Sequence, residues 1–504
     1  MRSVHRVLRS GASLWAARKV QRSVFEVMTK HTFNDIVYVS DGKVRRADIV
    51  VEGQFIAKIT DKEELAQSDL AAVAAGKDVQ EPVSLLLPGV IDEHVHTREP
   101  GMTHKGDLCT ETHAAAAGGV TSVLDMPNVV PQTTTLETLA QRQALGAAHA
   151  FVNHSFYFGA TNSNAHLLPE LDPTRVPAVK LFMGSSTGGM LVDGGAALEA
   201  VFEQSPLPIM AHCEDSGVIA NNMRLAQERY GDDPDVVHHA EIRSREACIR
   251  SSSLAAQLAR RFGKHLHIAH ITTAEELDLA SGDGALACVA GSQPLSSALH
   301  GEGVGEAVPT GRPLITLEAC VPHLLFCDED YASLGTRIKC NPAIKTRADR
   351  DALRRALCDG RIMAVATDHA PHLLTEKQGG CKRAASGMPM VQFSLPAMLQ
   401  LAEEGVLPLT QVVRLMCHNP ARLFGIHGRG FIREGMKADM VLVQRQSWTL
   451  SSQDIVSRCG WSPLEGRSFS WKVAQTYCNG RLIYDNGQFM ASDNSHAEAL
   501  CFRC

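Results

Sequence analysis

Short apolar runs alternate with amphipathic helical stretches through the middle of this 504-residue chain. Such alternation is typical of a parallel sheet whose strands are connected by helices. Eight candidate strands end near His96, Asn128, Thr161, Lys180, His212, His270, Glu318 and Asp368. Eight strand–helix units over this length predict an α/β fold, the TIM (β/α)8 barrel, in which functional residues gather at the C-terminal ends of the strands.

The two ends of the chain carry strand patterns of another kind. Runs such as Asp35–Val39 and Ala438–Val443 are short, and turn residues such as Asp41-Gly42 separate them, as in antiparallel sheets. We therefore predict that both ends combine into one small β-sandwich-like domain. The predicted units are an extension (residues 1–30), the small β domain (31–86 plus 427–490), the barrel domain (87–426) and a tail (491–504).

Composition excludes several function classes. The formal net charge of −6 provides no electrostatic footprint for nucleic acid. No stretch approaches the ~18 consecutive apolar residues expected of a membrane span. Fourteen cysteines spread along a chain of this length predict reduced intracellular thiols. We expect a cytoplasmic protein that acts on a small molecule, with neither nucleic acid nor a membrane as partner.

Two segments stand apart from this organisation. Residues 1–25 contain arginines, a lysine and several serines but no acid. This composition fits a mitochondrial transit peptide as well as it fits an unstructured extension or an upstream start ahead of Met28. A mitochondrial location is therefore the alternative. Residues 280–312, rich in Gly, Ala and Ser, predict an insertion between the sixth and seventh barrel strands, and we assign no chemistry to them.

His94 and His96 close an apolar run that begins at Leu85. Residues i and i+2 of a strand project to the same side, so the two imidazoles lie together and can bind one metal ion. The structural alternative is a buried pair held by core hydrogen bonds. Arg98 follows where the chain leaves the strand, and a guanidinium pairs with carboxylates in a bidentate fork.

Other strand ends supply the remaining ligands of a metal centre. Lys180 lies inside an apolar run, where an ammonium is costly unless it is paired or neutralised. Reaction with carbon dioxide would convert its amine into an anionic carbamate that can bridge two metals. His212, His270 and Asp368 end three further strands. His267 and His270 differ in parity, so we expect only His270 to face inward.

The chain resembles the cyclic amidohydrolases and, among them, the dihydroorotase family, from about residue 31 to the late 480s. The segments that carry the resemblance are Pro88–Gly101, Ala116–Asn128 and Ala366–His372, together with Pro322–Leu324, Lys339–Pro342 and Asn419–Gly425. Dihydroorotases interconvert N-carbamoyl-L-aspartate and L-dihydroorotate in pyrimidine biosynthesis. Many relatives carry two consecutive histidines in the segment that reads Val321-Pro322-His323-Leu324 here, and the 280–312 insertion is a second departure.

The resemblance implies a binuclear zinc centre. The implied ligands of the more buried ion are His94, His96 and Asp368, those of the second ion are His212 and His270, and carboxylated Lys180 would bridge the two. Asp368 would also be the catalytic residue that moves a proton from the attacking nucleophile to the ring nitrogen. The implied substrate contacts are Arg98, Asn128, His372, Asn341, Gly387 and Pro389. The family also suggests a homodimer.

Two alternatives remain open at this point. Hydantoinases, dihydropyrimidinases and allantoinases share the metal scaffold, but their ring substrates need no carboxylate contact, so Arg98, Asn128 and His372 argue against them. An inactive amidohydrolase-like scaffold protein is the alternative from another class. Such proteins usually lose metal ligands, whereas this chain retains all of them.

Overall fold

The computed structural model describes residues 30–66, 83–184, 190–280 and 313–503. Most of the predicted N-terminal extension, including the transit-type residues 1–25, lies outside the described residues, as does nearly all of the 280–312 insertion. Within the described ranges, no helix has the length and apolar character needed to span a membrane.

The strands of the described residues fall into a terminal sheet and a barrel. They are Lys30–Ser40 (β1), Lys43–Glu52 (β2), Phe55–Leu65 (β3), Ser84–Pro88 (β4), Val90–Val95 (β5), Val120–Asp125 (β6), Asn153–Phe156 (β7), Phe158–Gly159 (β8), Val179–Met183 (β9), Ile209–Cys213 (β10), Leu266–Ile268 (β11), Ile315–Cys320 (β12), Ile362–Ala366 (β13), Met440–Thr449 (β14), Ser468–Cys478 (β15), Arg481–Asp485 (β16) and Gln488–Phe489 (β17).

The helices cover the outside of the barrel strands. They are Leu108–Ala117 (α1), Leu136–His149 (α2), Gly195–Gln204 (α3), Ser216–Tyr230 (α4), His239–Ile242 (α5), Arg245–Phe262 (α6), Val321–Leu325 (α7), Tyr331–Leu334 (α8), Arg347–Asp359 (α9), Ser394–Glu403 (α10), Leu409–Val413 (α11) and Asn419–Phe424 (α12). The sequence sets both ends of helix α6. Ser244 caps its first turn, and Gly263, with φ of 62°, ends it. Its small buried residues face inward.

Both ends of the chain contribute to one eight-stranded sheet, in the order β17-β16-β15-β14-β4-β1-β2-β3. Strand β4 joins the two halves, because it pairs parallel to β1 and antiparallel to β14. Leu85, Leu86 and Leu87 are all buried, since a central strand is covered on both faces. The prediction that both chain ends form one β unit is therefore confirmed, while its bounds, 31–86 plus 427–490, stay a prediction.

The barrel strands are parallel and form a ring. Strands β5-β6-β7 pair in one group and β8 to β13 in another, and Tyr157 alone separates β7 from β8. The ring closes where Val95 pairs with His369 and where His96 N–H donates to the His369 carbonyl at 2.7 Å. The predicted TIM barrel is thus confirmed, with its strand ends gathered at one mouth.

The C-terminal residues pack against the barrel rather than extending from it. Ala499 pairs with His154 of β7, and the side chain of Phe502 is fully buried. Cys501 is disulfide-bonded, whereas the other cysteines of the described residues are free thiols. The prediction of reduced thiols is therefore wrong at this position, where Cys501 and Cys504 stand in a Cys-x-x-Cys spacing.

Candidate metal centre and active site

His94, His96 and Asp368 meet at the mouth of the barrel, as predicted. Asp368 Oδ1 lies 3.0 Å from His96 Nε2 and 3.4 Å from His94 Nε2. Asp368 has a left-handed backbone with φ of 48°, which is uncommon outside glycine and tolerated best by Asp and Asn. Burial alone would raise the pKa of Asp368, but the two imidazoles outweigh it and keep the pKa below its usual value.

The second ring nitrogen of each of these histidines is held by an acceptor. His94 Nδ1 lies 2.9 Å from Glu318 Oε1, and His96 Nδ1 lies 2.8 Å from Asn128 Oδ1. An Nδ1–H that donates leaves the Nε2 lone pair to face the metal position. Asn128, predicted to contact substrate, therefore also orients the ring of His96, a predicted metal ligand.

His212 and His270 form the other half of the centre. His212 Nδ1 lies 3.0 Å from His270 Nε2, while His212 Nε2 lies 2.9 Å from Glu214 Oε2. Arg243 pairs with the same carboxylate. Burial would raise the pKa of Glu214, but Arg243 and His212 lower it to about 2. The anionic Glu214 thus directs the Nδ1 lone pair of His212 toward His270.

Lys180 is fully buried, and its charge acts on Asp368 in one half of the centre and on His212 in the other. Its Nζ has no hydrogen-bond partner among the described residues and lies 5.3 Å from the centroid of the Phe182 ring. Burial lowers the pKa of the amine, which favours the neutral form that reacts with carbon dioxide. An unpartnered amine among four metal-type histidines and an aspartate is consistent with a carbamate that bridges two ions.

The parity expectation for the sixth strand is wrong. Strand β11 already ends at Ile268, and His270 has φ of 35°, so the alternation of a regular strand does not continue to His270. Both imidazoles reach the barrel interior: His270 Nε2 lies 3.0 Å from His212 Nδ1, and His267 Nε2 lies 3.9 Å from Glu318 Oε2.

Arg98 and His372 form a cationic subsite beside the metal cluster. Arg98 Nη2 lies 3.1 Å from His372 Nε2, and Lys105 Nζ lies 3.2 Å from His372 Nδ1. Burial lowers the pKa of Arg98 to about 10, so the guanidinium stays charged. Burial and then the charges of Arg98 and Lys105 depress the pKa of His372, so its ring is neutral.

Two cationic side chains, Arg98 and Lys105, each contact one ring nitrogen of His372. A neutral imidazole accepts at one nitrogen and carries a hydrogen on the other. Arg98 and Lys105 therefore cannot both donate to His372 at the same time. An anion placed between Arg98 and the Nε2–H of His372 would accept from both, and Lys105 would then donate to Nδ1.

Hydrogen bonds and an ion pair that were not predicted from the sequence hold the backbone on both sides of Arg98. Arg98 has φ of 72°, a conformation that costs energy for a residue with a large side chain. On one side, Thr97 N–H donates to Asp125 at 3.1 Å. On the other side, Arg142 pairs with Asp125 and donates to the Glu99 carbonyl. The buried ion pair fixes both neighbours of Arg98.

The remaining predicted substrate contacts lie on loops around this subsite. Gly387, with φ of 131°, lies so close to His372 that an added Cβ would be 3.2 Å from His372 Cδ2. Asn341 Oδ1 lies 3.2 Å from His239 Nε2. Pro389 directly follows Met388, which pairs with His369. Lys377 Nζ binds the carbonyl of Gly387 at 2.7 Å and so secures this loop.

The model of the amidohydrolase family matches residues 85–483. Among curated proteins, the dihydroorotase of Methanosarcina acetivorans is 32% identical over 86% of this chain and 88% of its own length. The dihydroorotase of Halobacterium salinarum is 31% identical over 90% of this chain and 97% of its own length.

Among solved structures, two hydantoinase-type proteins share the fold. The L-hydantoinase (dihydropyrimidinase) of Arthrobacter aurescens has a TM-score of 0.78 at 20% identity and covers 93% of this chain and 98% of its own. The dihydropyrimidinase of Brevibacillus agri has a TM-score of 0.76 at 21% identity, with coverage of 93% and 98%. At these identities the likeness concerns the fold alone.

Proposed function

The chain belongs to the amidohydrolase family, and we propose that within it the protein works as a dihydroorotase. It is a metal-dependent cyclic amidohydrolase that interconverts N-carbamoyl-L-aspartate and L-dihydroorotate, a ring-closing step of pyrimidine biosynthesis. Its similarity to dihydroorotases over most of both chains supports this activity. We also propose a homodimer, which the family resemblance suggests, and a cytoplasmic location, with the mitochondrion as the alternative if residues 1–25 are a transit peptide.

The observation that carries the proposal is the contact between Arg98 and His372 beside the metal cluster. The guanidinium is two residues from His96 and is buried, so it faces the site rather than bulk solvent. Dihydroorotate carries a carboxylate on its ring, whereas hydantoin and allantoin lack one. A buried cationic subsite at this place therefore favours dihydroorotate over the uncharged rings.

The chain's own residues account for proton transfer. Two divalent ions, when bound, supply Lewis acidity for the amide carbonyl and lower the pKa of the attacking water. We propose zinc, which imidazole-rich ligand sets favour, with carboxylated Lys180 as the bridge. Asp368 accepts the proton of the attacking water and passes it to the ring nitrogen as the C–N bond breaks. In synthesis Asp368 moves the proton from the carbamoyl nitrogen to the departing oxygen.

Turnover of L-dihydroorotate by the purified protein, followed by ultraviolet absorbance, tests the assignment. We expect hydrolysis that a chelator abolishes and that added zinc restores, while hydantoin and allantoin are turned over far more slowly. Activity on the uncharged rings alone would move the assignment to the hydantoinase group. No activity on any of the three rings, with metal bound, would favour a scaffold role.

Arg98→Met is expected to raise the Michaelis constant for dihydroorotate by about 10- to 100-fold, since a hydrogen bond to a charged group contributes roughly 1.5–3 kcal/mol. Lys105→Met should raise it less, because Lys105 acts through His372 by stabilising the tautomer whose Nε2–H faces the carboxylate. Steady-state kinetics at constant metal content measure both effects. Lys43→Met, which removes an exposed partner of Glu64, serves as the control. An unchanged constant for Arg98→Met would remove Arg98 from substrate recognition.

A further inference from the structure

A second polar cluster lies in the barrel interior, deeper than the binuclear centre. It consists of Glu93 on β5, His267 on β11 and Glu318 on β12, and all three side chains are fully buried. Their ligand-type atoms lie within 4.8 Å of one another. None of the roles derived above uses Glu93 or His267, so this cluster requires a separate explanation.

Carboxylate oxygens in this cluster lack the hydrogen bonds that burial demands. Neither Oε1 nor Oε2 of Glu93 has a hydrogen-bond partner among the described residues, and the same holds for Oε2 of Glu318. By contrast, Glu318 Oε1 accepts from His94 Nδ1 at 2.9 Å and from His270 N–H at 2.8 Å. Unpartnered carboxylates are among the most costly groups to bury. Three such oxygens directed into one small volume indicate a cation between them.

The charges around Glu93 also favour a cation. Glu318 lies in the same cluster, Asp92 precedes Glu93 in the chain, and both are buried acidic residues. Two buried carboxylates at this distance repel each other unless a positive charge or a shared proton offsets the repulsion.

The spacing suits ligands of one ion. Glu318 Oε2 lies 3.9 Å from His267 Nε2, which is too long for a hydrogen bond. Ligand atoms that are each 2.0–2.2 Å from a common ion are separated by about 3–4 Å. The other ring nitrogen of His267 lies 2.9 Å from Thr316 Oγ1, a contact that orients the ring with Nε2 toward Glu318.

We propose that Glu93, His267 and Glu318 bind a third divalent metal ion beneath the binuclear centre. Two carboxylates neutralise a double positive charge, and the imidazole favours zinc or manganese over magnesium or calcium. The ion satisfies Oε2 of Glu318, while Oε1 of the same carboxylate orients His94. It therefore supports the geometry of the reacting centre without contacting substrate.

Metal counting by plasma mass spectrometry tests this site. After exchange of the purified protein into metal-free buffer, we expect three metal equivalents per wild-type chain and two for Glu93→Gln and Glu93→Leu. Glu276→Gln is the matched control, because Glu276 is equally buried but binds Thr272 and Thr273. This control should retain three equivalents. Two equivalents in the wild type would overturn the proposal and leave a proton shared by Glu93 and Glu318.

Anomalous diffraction at the zinc or manganese absorption edge provides a test that does not depend on the folding of variants. A wild-type crystal should show a peak among Glu93, His267 and Glu318, separate from the pair at the barrel mouth. Absence of that peak, with the pair present, contradicts the proposal. Three equivalents without dihydroorotate turnover would leave this site intact while the proposed function fails.

Discussion

Lys180→Ala is expected to abolish dihydroorotate hydrolysis and to remove bound metal. The amine of Lys180 is fully buried and has no hydrogen-bond partner among the described residues. Loss of the proposed carbamate would remove the ligand common to both ions. Because metal catalysis contributes several kcal/mol, turnover should fall by about 1,000-fold or more. Kinetics and metal content measured on the same sample check this expectation.

Chemical rescue distinguishes a lost ligand from a damaged fold. Acetate or propionate can enter the space left by the lysine side chain and supply a carboxylate, so part of both metal content and turnover should return. Lys264→Ala is the control, because Lys264 is a lysine away from the site that donates to the Ser205 carbonyl at 2.8 Å. Full activity of Lys180→Ala without rescue would rule out the bridging carbamate.

Asp368→Asn is expected to reduce turnover much more than metal content. The amide oxygen of asparagine can still face His94 and His96, but it cannot accept a proton at neutral pH. General-base catalysis contributes typically about 100- to 10,000-fold, so kcat should fall within that range. Metal analysis and kcat determined side by side measure the two effects.

His94→Asn provides the contrast for this prediction. That substitution removes an imidazole ligand, so metal content and kcat should fall together. If Asp368→Asn also loses metal in proportion to activity, Asp368 is chiefly a ligand, and the proton must move through another group. A full metal complement with low kcat identifies Asp368 as the proton carrier.

Much of the site could be predicted because its signals are local. The spacing of His94 and His96 places both imidazoles on one side of a strand, and Lys180 is conspicuous as a charge in an apolar run. Arg98 follows His96 closely, so its place beside the metal position could also be inferred. The barrel itself followed from the alternation of strands and helices.

Other features depend on contacts between distant parts of the chain. Glu214 lies two residues after His212, yet its role depends on Arg243 from another element. The contact of Lys105 with His372 depends on the loops around the barrel mouth, which bring the two residues together. The parity expectation for His267 failed because β11 ends early and His270 adopts a left-handed backbone.

The sequence by itself determined the barrel, the sheet formed from both ends, and the metal-type side chains at the strand ends. Strand periodicity and burial are local properties that a chain carries in its order of residues. Only the tertiary structure decided which side chains meet, as Glu318 shows by joining His94 and His270 through one carboxylate. Closure of the ring brings together strands that are far apart in the chain. Contacts between the side chains of such strands cannot be predicted from local sequence patterns.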